Sequence, residues 1–315
     1  MVLNLLAILA GLVCLYFGAS FLIKGAVSVA LRSGISVLVV GLTIVAYGTS
    51  MPEMVVSTMA SFQGQGDIAI GNVVGSNIFN IGLILGISAL ISPMRVNLSV
   101  LRFDTPVMLG VAVLFWFLFA NQNISRIEGM VLFFLAASYT VFKIVQSRKE
   151  EKKSEDLGID EFIRPKPQSW LVDVGYIGLG VGILVAGSYF LVTGATALAQ
   201  ALGASEALIG LTIVAAGTSL PELATSLVAA VKKQSDIAIG NVVGSNIFNI
   251  LAILGISGII HPINAAGINT IDILVMLGFS ALLIPLMKTD VKISRREGVL
   301  MIILYVAYVT YLLYK

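Results

Sequence analysis

Apolar residues fill this chain in blocks of roughly 20, the length an α-helix needs to cross a bilayer, and polar residues collect in the short gaps between them. Five blocks come first, at Leu3–Leu31, Ser36–Phe62, Ile68–Ile91, Phe103–Ala120 and Arg126–Gln146. Five more follow, at Trp170–Ala201, Glu206–Val231, Ile237–Ile260, Ile271–Met287 and Arg296–Tyr314. Between the sets lies SRKEEKKSEDLGIDEFIRPKPQ, Ser147–Gln168, whose charge density reads as a solvated linker. The pattern predicts an all-α integral membrane protein of ten transmembrane helices, with residues 1–146 as one five-helix repeat, 147–169 as a charged linker and 170–315 as a second repeat. The first block lacks the basic start of a signal peptide and has a counterpart in mid-chain, so it is expected to be a retained span.

The two sets are copies of each other. An offset of 169 residues carries Gly11, Gly18 and Gly25 onto Gly180, Gly187 and Gly194, and Ser125, Arg126 and Glu128 onto Ser294, Arg295 and Glu297, without a gap. Identity peaks in two places: Gly41–Ala60 agrees with Gly210–Ala229 at 13 of 20 positions, and Asp67–Gly86 with Asp236–Gly255 at 18 of 20. An odd number of spans per copy obliges the second to enter the membrane upside down. The basic residues agree: with the N-terminus outside, 17 of the 19 lysines and arginines fall in cytoplasmic segments. Both termini are then expected to be extracellular and the linker cytoplasmic, in a multi-pass protein of the plasma membrane. Inverted repeats with broken helices near the midplane are a transporter architecture, with the site where the repeats meet.

Composition excludes the soluble classes, since 58% of residues are hydrophobic, 11% are charged and the mean hydropathy is +1.00. A net charge of +2 gives no reason to expect nucleic acid, and nothing in the chain points to a protein partner or an organic cofactor. The bilayer is the partner that composition demands. The single cysteine, Cys14, sits in an apolar helix and reads as a small buried hydrophobe.

Within the second and seventh blocks stands a hexad foreign to an ordinary spanning helix, GTSMPE at Gly48–Glu53 and GTSLPE at Gly217–Glu222. Proline has no N–H and crowds the carbonyl four residues back, so Pro52 should release the Gly48 carbonyl and Pro221 that of Gly217, breaking both spans. Freed backbone at membrane depth survives only where it lines a cavity or is buried in protein. Of the acids, Asp104, Glu128, Asp173, Glu206, Asp272, Asp290 and Glu297 fall near span ends, six lie in the linker, and Asp67 and Asp236 look like helix N-caps. Glu53 and Glu222 are left in mid-membrane, where a charge costs at least about 2.5 kcal/mol and is functional by default. Carboxylates, broken-helix carbonyls and the hydroxyls of Thr49 and Ser50, with their twins Thr218 and Ser219, suit a hard cation such as Ca²⁺. Each half offers half of an ion site.

The other repeated block, GNVVGSNIFNI from Gly71 and again from Gly240, sets Ser76 and Asn80, and likewise Ser245 and Asn249, four apart on one helix face. They either present oxygens to the same cavity or act as interhelical glue. His261, the lone histidine, stands beside Pro262 at a span end and reads as a surface residue.

Taken as a pair, the motifs GTS-x-PE and GN-x-x-GSNI-x-N resemble the two alpha-repeats of sodium/calcium exchangers in the calcium/cation antiporter superfamily, in its compact prokaryotic form. The resemblance covers all ten spans. It implies a secondary antiporter, not an enzyme, exchanging Na⁺ for Ca²⁺ by alternating access. Spans 2, 3, 7 and 8 would surround the ions, and the long spans 1 and 6 would slide across them. It also implies a ligand set: Glu53, Glu222, Thr49 and Thr218 for Ca²⁺ and Na⁺, with Ser50, Ser76, Ser219, Ser245 and the carbonyls of Ala46 and Ala215 completing the Na⁺ positions. Asn80 and Asn249 would line the middle of the site. Some relatives carry an acid where this chain has Asn249, so the resemblance argues against K⁺ cotransport and leaves two formal negative charges.

Two carboxylates at low dielectric repel, so one should hold a proton when no cation is bound; one Ca²⁺ or two Na⁺ would neutralise the pair. Moving more than two Na⁺ per Ca²⁺ would make exchange electrogenic. A calcium/proton antiporter would use the same glutamates without needing the hydroxyls. A cation channel could use a ring of acids, but broken inverted repeats argue for alternating access, and no nucleophile or histidine pair accompanies the acids to make a hydrolase.

Overall fold

A computed structural model of the chain describes residues 2–156, 169–202 and 215–314. Among the described residues, eight helices are long and apolar enough to cross a membrane. They are α1 (Val2–Ser33), α4 (Gly66–Ile91), α5 (Val100–Asn121), α6 (Arg126–Asp156), α7 (Trp170–Ala201), α9 (Ser235–Ile260), α10 (Thr270–Lys288) and α11 (Arg295–Tyr314). A ninth span is the pair α2 (Val37–Thr49) and α3 (Met51–Phe62), bent by 50° at Ser50. Of the expected span Glu206–Val231, residues 206–214 lie outside the described residues; its second half is α8 (Leu220–Val231), reached through a single turn at Ala215–Gly217.

Four two-residue strands fix how the copies face each other. β1 (Met94–Arg95) pairs antiparallel with β4 (Lys292–Ile293), and β2 (Asn123–Ile124) with β3 (Ile263–Asn264). The repeat offset turns β1 into β3 and β2 into β4, so the loop after the third block of one copy joins the loop after the fourth block of the other. Parallel copies would hold those loops on opposite faces of the membrane. The inversion demanded by the odd span count is thus written into backbone hydrogen bonds.

The first and sixth blocks pack as an antiparallel pair. Gly11, Gly18 and Gly25 on α1 and Gly180, Gly187 and Gly194 on α7 recur every seven residues, and a Cβ on Gly18 would stand 2.8 Å from the Leu184 amide nitrogen, one on Gly187 2.9 Å from that of Leu15. Small residues at this spacing bring two helix backbones together without interlocking side chains. At one end Arg32 Nε meets Asp173 Oδ2 at 3.2 Å.

Two expectations need correction, and one feature of the span ends goes beyond what was expected. Asp67 and Asp236 are not N-caps: the capping positions are Gln65 and Gln234, and the aspartates lie in the first turns of α4 and α9. The left-handed residues Gly64 (φ 73°) and Lys233 (φ 58°) reverse the chain early enough for each helix to begin ahead of its aspartate. Asp67 Oδ1 instead accepts from the Gly267 amide at 2.9 Å. Next, α6 runs to Asp156, past the expected end at Gln146, because the first linker residues are good helix formers and Gln146 Nε2 donates to Glu150 Oε1 at 2.9 Å. Lastly, two acids at span ends are fully buried, Asp104 and Asp173. Each is neutralised: Asp104 meets Lys143 Nζ at 3.0 Å and accepts from the Tyr139 hydroxyl at 2.9 Å, and Asp173 holds Arg32.

Candidate functional site

Both hexads sit at interruptions, and the geometry explains how. At Ser50 the backbone leaves helical values (φ −82°, ψ 10°), as it does at Ser219 (φ −87°, ψ 7°). Pro52 and Pro221 then occupy the first turn of α3 and α8, where the missing N–H has no intrahelical partner to lose. Glu53 and Glu222 follow in the same first turns, at the positive ends of two half-helix dipoles that favour negative charge. The Gly217 carbonyl accepts from Ser188 Oγ of α7 at 2.5 Å. His261, by contrast, is exposed at a span end.

The two half-sites cross. Ser50 Oγ donates to Glu222 Oε1 at 2.6 Å, and Ser219 Oγ donates to Glu53 Oε1 at 2.9 Å. Ser50 lies 3.1 Å from Ser245 Oγ, and Ser219 3.1 Å from Ser76 Oγ. Thr49 Oγ1 donates to Asn241 Oδ1 at 3.2 Å; its twin Thr218 donates to Asn72 Oδ1 at 3.3 Å. Each of those asparagines turns its amide back onto its own copy, Asn72 to the Glu53 carbonyl and Ser57 Oγ, Asn241 to the Glu222 carbonyl and Ser226 Oγ. Every expected side-chain ligand is therefore drawn to the contact between copies or beside it.

Deeper in the contact, α4 and α9 widen into π-helix over Asn80–Leu85 and Asn249–Ile253, a distortion that recurs at functional sites. Asn80 Nδ2 donates to Asn246 Oδ1 at 2.9 Å, and Asn249 Nδ2 to Asn77 Oδ1 at 3.0 Å. Asn77 and Asn246 also donate to each other's backbone carbonyls, at 3.3 and 3.2 Å. The Ala46 carbonyl receives the Ser50 amide at 3.0 Å and Thr49 Oγ1 at 3.3 Å; Ala215 opens the turn before the second hexad.

What this leaves over is chemically informative. Glu53 and Glu222 are each 1% exposed, and one oxygen of each, Oε2, has no hydrogen-bond donor. Asn80 Oδ1 and Asn249 Oδ1 are likewise buried without a donor. Unpartnered buried acceptors are costly, and four oxygens without donors, two of them on carboxyl groups, suit a hard cation. No group of three or more histidines, cysteines and acids occurs among the described residues, so the donors are two carboxylates supplemented by amides and hydroxyls. Ser57, Ser226 and Ser188 were not among the expected site residues. Ser57 and Ser226 were visible in principle as positions shared by both hexad blocks, whereas Ser188 has no such mark, because its twin is Ala19.

Comparison with known proteins agrees with this geometry. The family described as "Sodium/calcium exchanger protein" matches residues 3–145 and again 172–314. The chain is 41% identical over 258 residues to the putative antiporter CaxA of Alkalimonas amylolytica, covering 81% of this chain and 80% of that protein. It is 35% identical over 345 aligned positions to the sodium/calcium exchanger MaX1 of Methanosarcina acetivorans, covering 99% of each. Among solved structures it is similar to the sodium-calcium exchanger NCX_Mj soaked with zero Na⁺ and Ca²⁺, with a TM-score of 0.84 and 32% identity over 99% of both chains. A match that repeats in both copies, a relative aligned end to end and a shared fold give one conclusion: the chain belongs to the sodium/calcium exchanger family, whose members are membrane antiporters and not enzymes.

Proposed function

We propose that this protein exchanges Na⁺ for Ca²⁺ through one site shared by its two hexads, and that the site is reached alternately from either face of the membrane. The observation that carries the reading is the set of four buried, donor-less oxygens, Glu53 Oε2, Glu222 Oε2, Asn80 Oδ1 and Asn249 Oδ1, drawn equally from the two copies. Glu53, Glu222, Thr49 and Thr218 serve both ions. Ser50, Ser219, Ser76, Ser245 and the carbonyls of Ala46 and Ala215 complete the Na⁺ positions, and Asn80 and Asn249 line the middle. One Ca²⁺ cancels the two carboxylate charges, as do two Na⁺. A third Na⁺ would make each cycle carry net charge, to which the membrane potential contributes about 2.3 kcal/mol per charge per 100 mV.

The protein lies in the plasma membrane with both termini outside and the linker inside, a reading supported by the distribution of lysine and arginine. Residues 1–146 and 170–315 act as the two repeats, joined by 147–169. The test is Ca²⁺ uptake into proteoliposomes loaded with Na⁺, with K⁺-loaded and acid-loaded vesicles as controls. Uptake that requires internal Na⁺ is expected. Uptake driven by a proton gradient alone would move the protein to proton coupling, and Ca²⁺ entry without any counter-ion would overturn exchange.

A further inference from the structure

The α1–α7 pair does not sit symmetrically on the two half-sites. α1 lies along α8, whereas α7 makes no comparable contact with α3, the twin of α8. The difference shows in the buried faces: Val228 and Thr225 of α8 are 7% and 0% exposed, while the corresponding Met59 and Val56 of α3 are 51% and 37% exposed. One approach to the crossed site is covered and its mirror image is not. In this arrangement Ser188, near the middle of α7, places its hydroxyl 2.5 Å from the Gly217 carbonyl. That carbonyl ends the turn before the break at Ser219, and Pro221, four residues on, has no N–H to offer it.

The repeat relation sends Gly217 to Gly48 and Ser188 to Ala19. Exchanging the roles of the two copies would bring position 19 of α1 toward the Gly48 carbonyl, and an alanine methyl has no proton to give. One docking of the pair therefore gains a buried hydrogen bond to a freed carbonyl that the opposite docking lacks. We propose that Ser188 is a positioning residue for the exchange cycle, a latch between α7 and the second hexad that holds the transporter with α8 covered and α3 uncovered, and that the Ser188/Ala19 asymmetry biases the two access states. The idea rests on the reading of α1 and α7 as the pair that moves between those states.

The test uses full-length protein with Cys14→Ala, carrying a single reporter thiol by Met59→Cys on α3 or Val228→Cys on α8. Thiol-modification rates are measured in detergent without Ca²⁺ or Na⁺. With Ser188 intact, the reporter at position 59 should react quickly and that at 228 slowly. Ser188→Ala should slow the first and speed the second, with the ratio of the two rates moving by about fivefold for one net buried hydrogen bond. Ser188→Thr, which keeps the hydroxyl, should restore the original rates. Ala19→Ser should shift both rates in the same directions as Ser188→Ala.

Opposed shifts are the signature of a latch. Rates that rise together at both positions would show loosened packing, and unchanged rates would show that the bond carries no bias; either result overturns the proposal. Because labelling needs no transport, it separates from the exchange reading: opposed shifts in a protein that fails Na⁺-driven Ca²⁺ uptake would leave the latch standing and the exchange reading fallen.

Discussion

Glu53 and Glu222 each give one oxygen to a serine of the opposite copy and keep one free. Removing either charge while keeping the shape, by Glu53→Gln or Glu222→Gln, should abolish Na⁺-driven Ca²⁺ uptake, because a single carboxylate cannot balance a divalent ion in a dry site. Retained uptake in either variant would place the ions elsewhere. Protons compete for the same oxygens, so uptake should fall as the pH is lowered from about 8 to 5.5; a flat profile would show that these carboxylates do not govern transport. Behind them, Asn241 ties the Glu222 carbonyl and Ser226 to the Thr49 hydroxyl. Asn241→Ala strands those buried groups and should lower stability by about 1–3 kcal/mol, read as an earlier melt in detergent, with weaker apparent affinity for Ca²⁺.

At the scale of elements, a glycine seam and a buried ion pair hold helices by opposite means. A Cβ on Gly180 would stand 2.5 Å from the Leu22 amide nitrogen of α1. Gly180→Ala must therefore separate α1 from α7, at a cost of about 1–3 kcal/mol, visible as a lower melting temperature and a slower cycle. Between α5 and α6, Lys143 and Asp104 are both fully buried and 3.0 Å apart. The second copy has Leu312 and Ile273 at the equivalent positions, so the pair belongs to one repeat alone. Asp104→Asn leaves the ammonium uncompensated and should destabilise by about 3–5 kcal/mol, whereas Asp104→Leu combined with Lys143→Met should cost far less. Equal losses would mean that the pair matters for more than charge balance.

For the whole molecule, the strand ribbons join the copies on two faces: β1 with β4 on one, β2 with β3 on the other. The orientation proposed from the charge bias predicts which face is which. In a Cys14→Ala background, a thiol introduced by Ser154→Cys should resist a membrane-impermeant reagent on intact cells and react after permeabilisation, while one introduced by Tyr314→Cys should react on intact cells. The reverse pattern would invert the topology.

Much of this was legible from the chain, because hydropathy, a gap-free duplication and paired carboxylates are local or periodic signals. They gave the membrane class, the span positions to within a few residues, the upside-down second copy and the two hexads as breaks. Other features depend on neighbours distant in sequence. That Ser50 serves Glu222 and Ser219 serves Glu53, so that neither half holds its own carboxylate, follows from how two inverted surfaces meet. The burial of Asp104 and Asp173 depends on partners 39 and 141 residues away. The start of α4 ahead of Asp67 and the helical first turns of the linker were set by local geometry that hydropathy does not report. The sharpest case is the lopsided docking of α1 and α7: two nearly equal copies predict a symmetric object, and only packing in three dimensions chooses which half-site is covered.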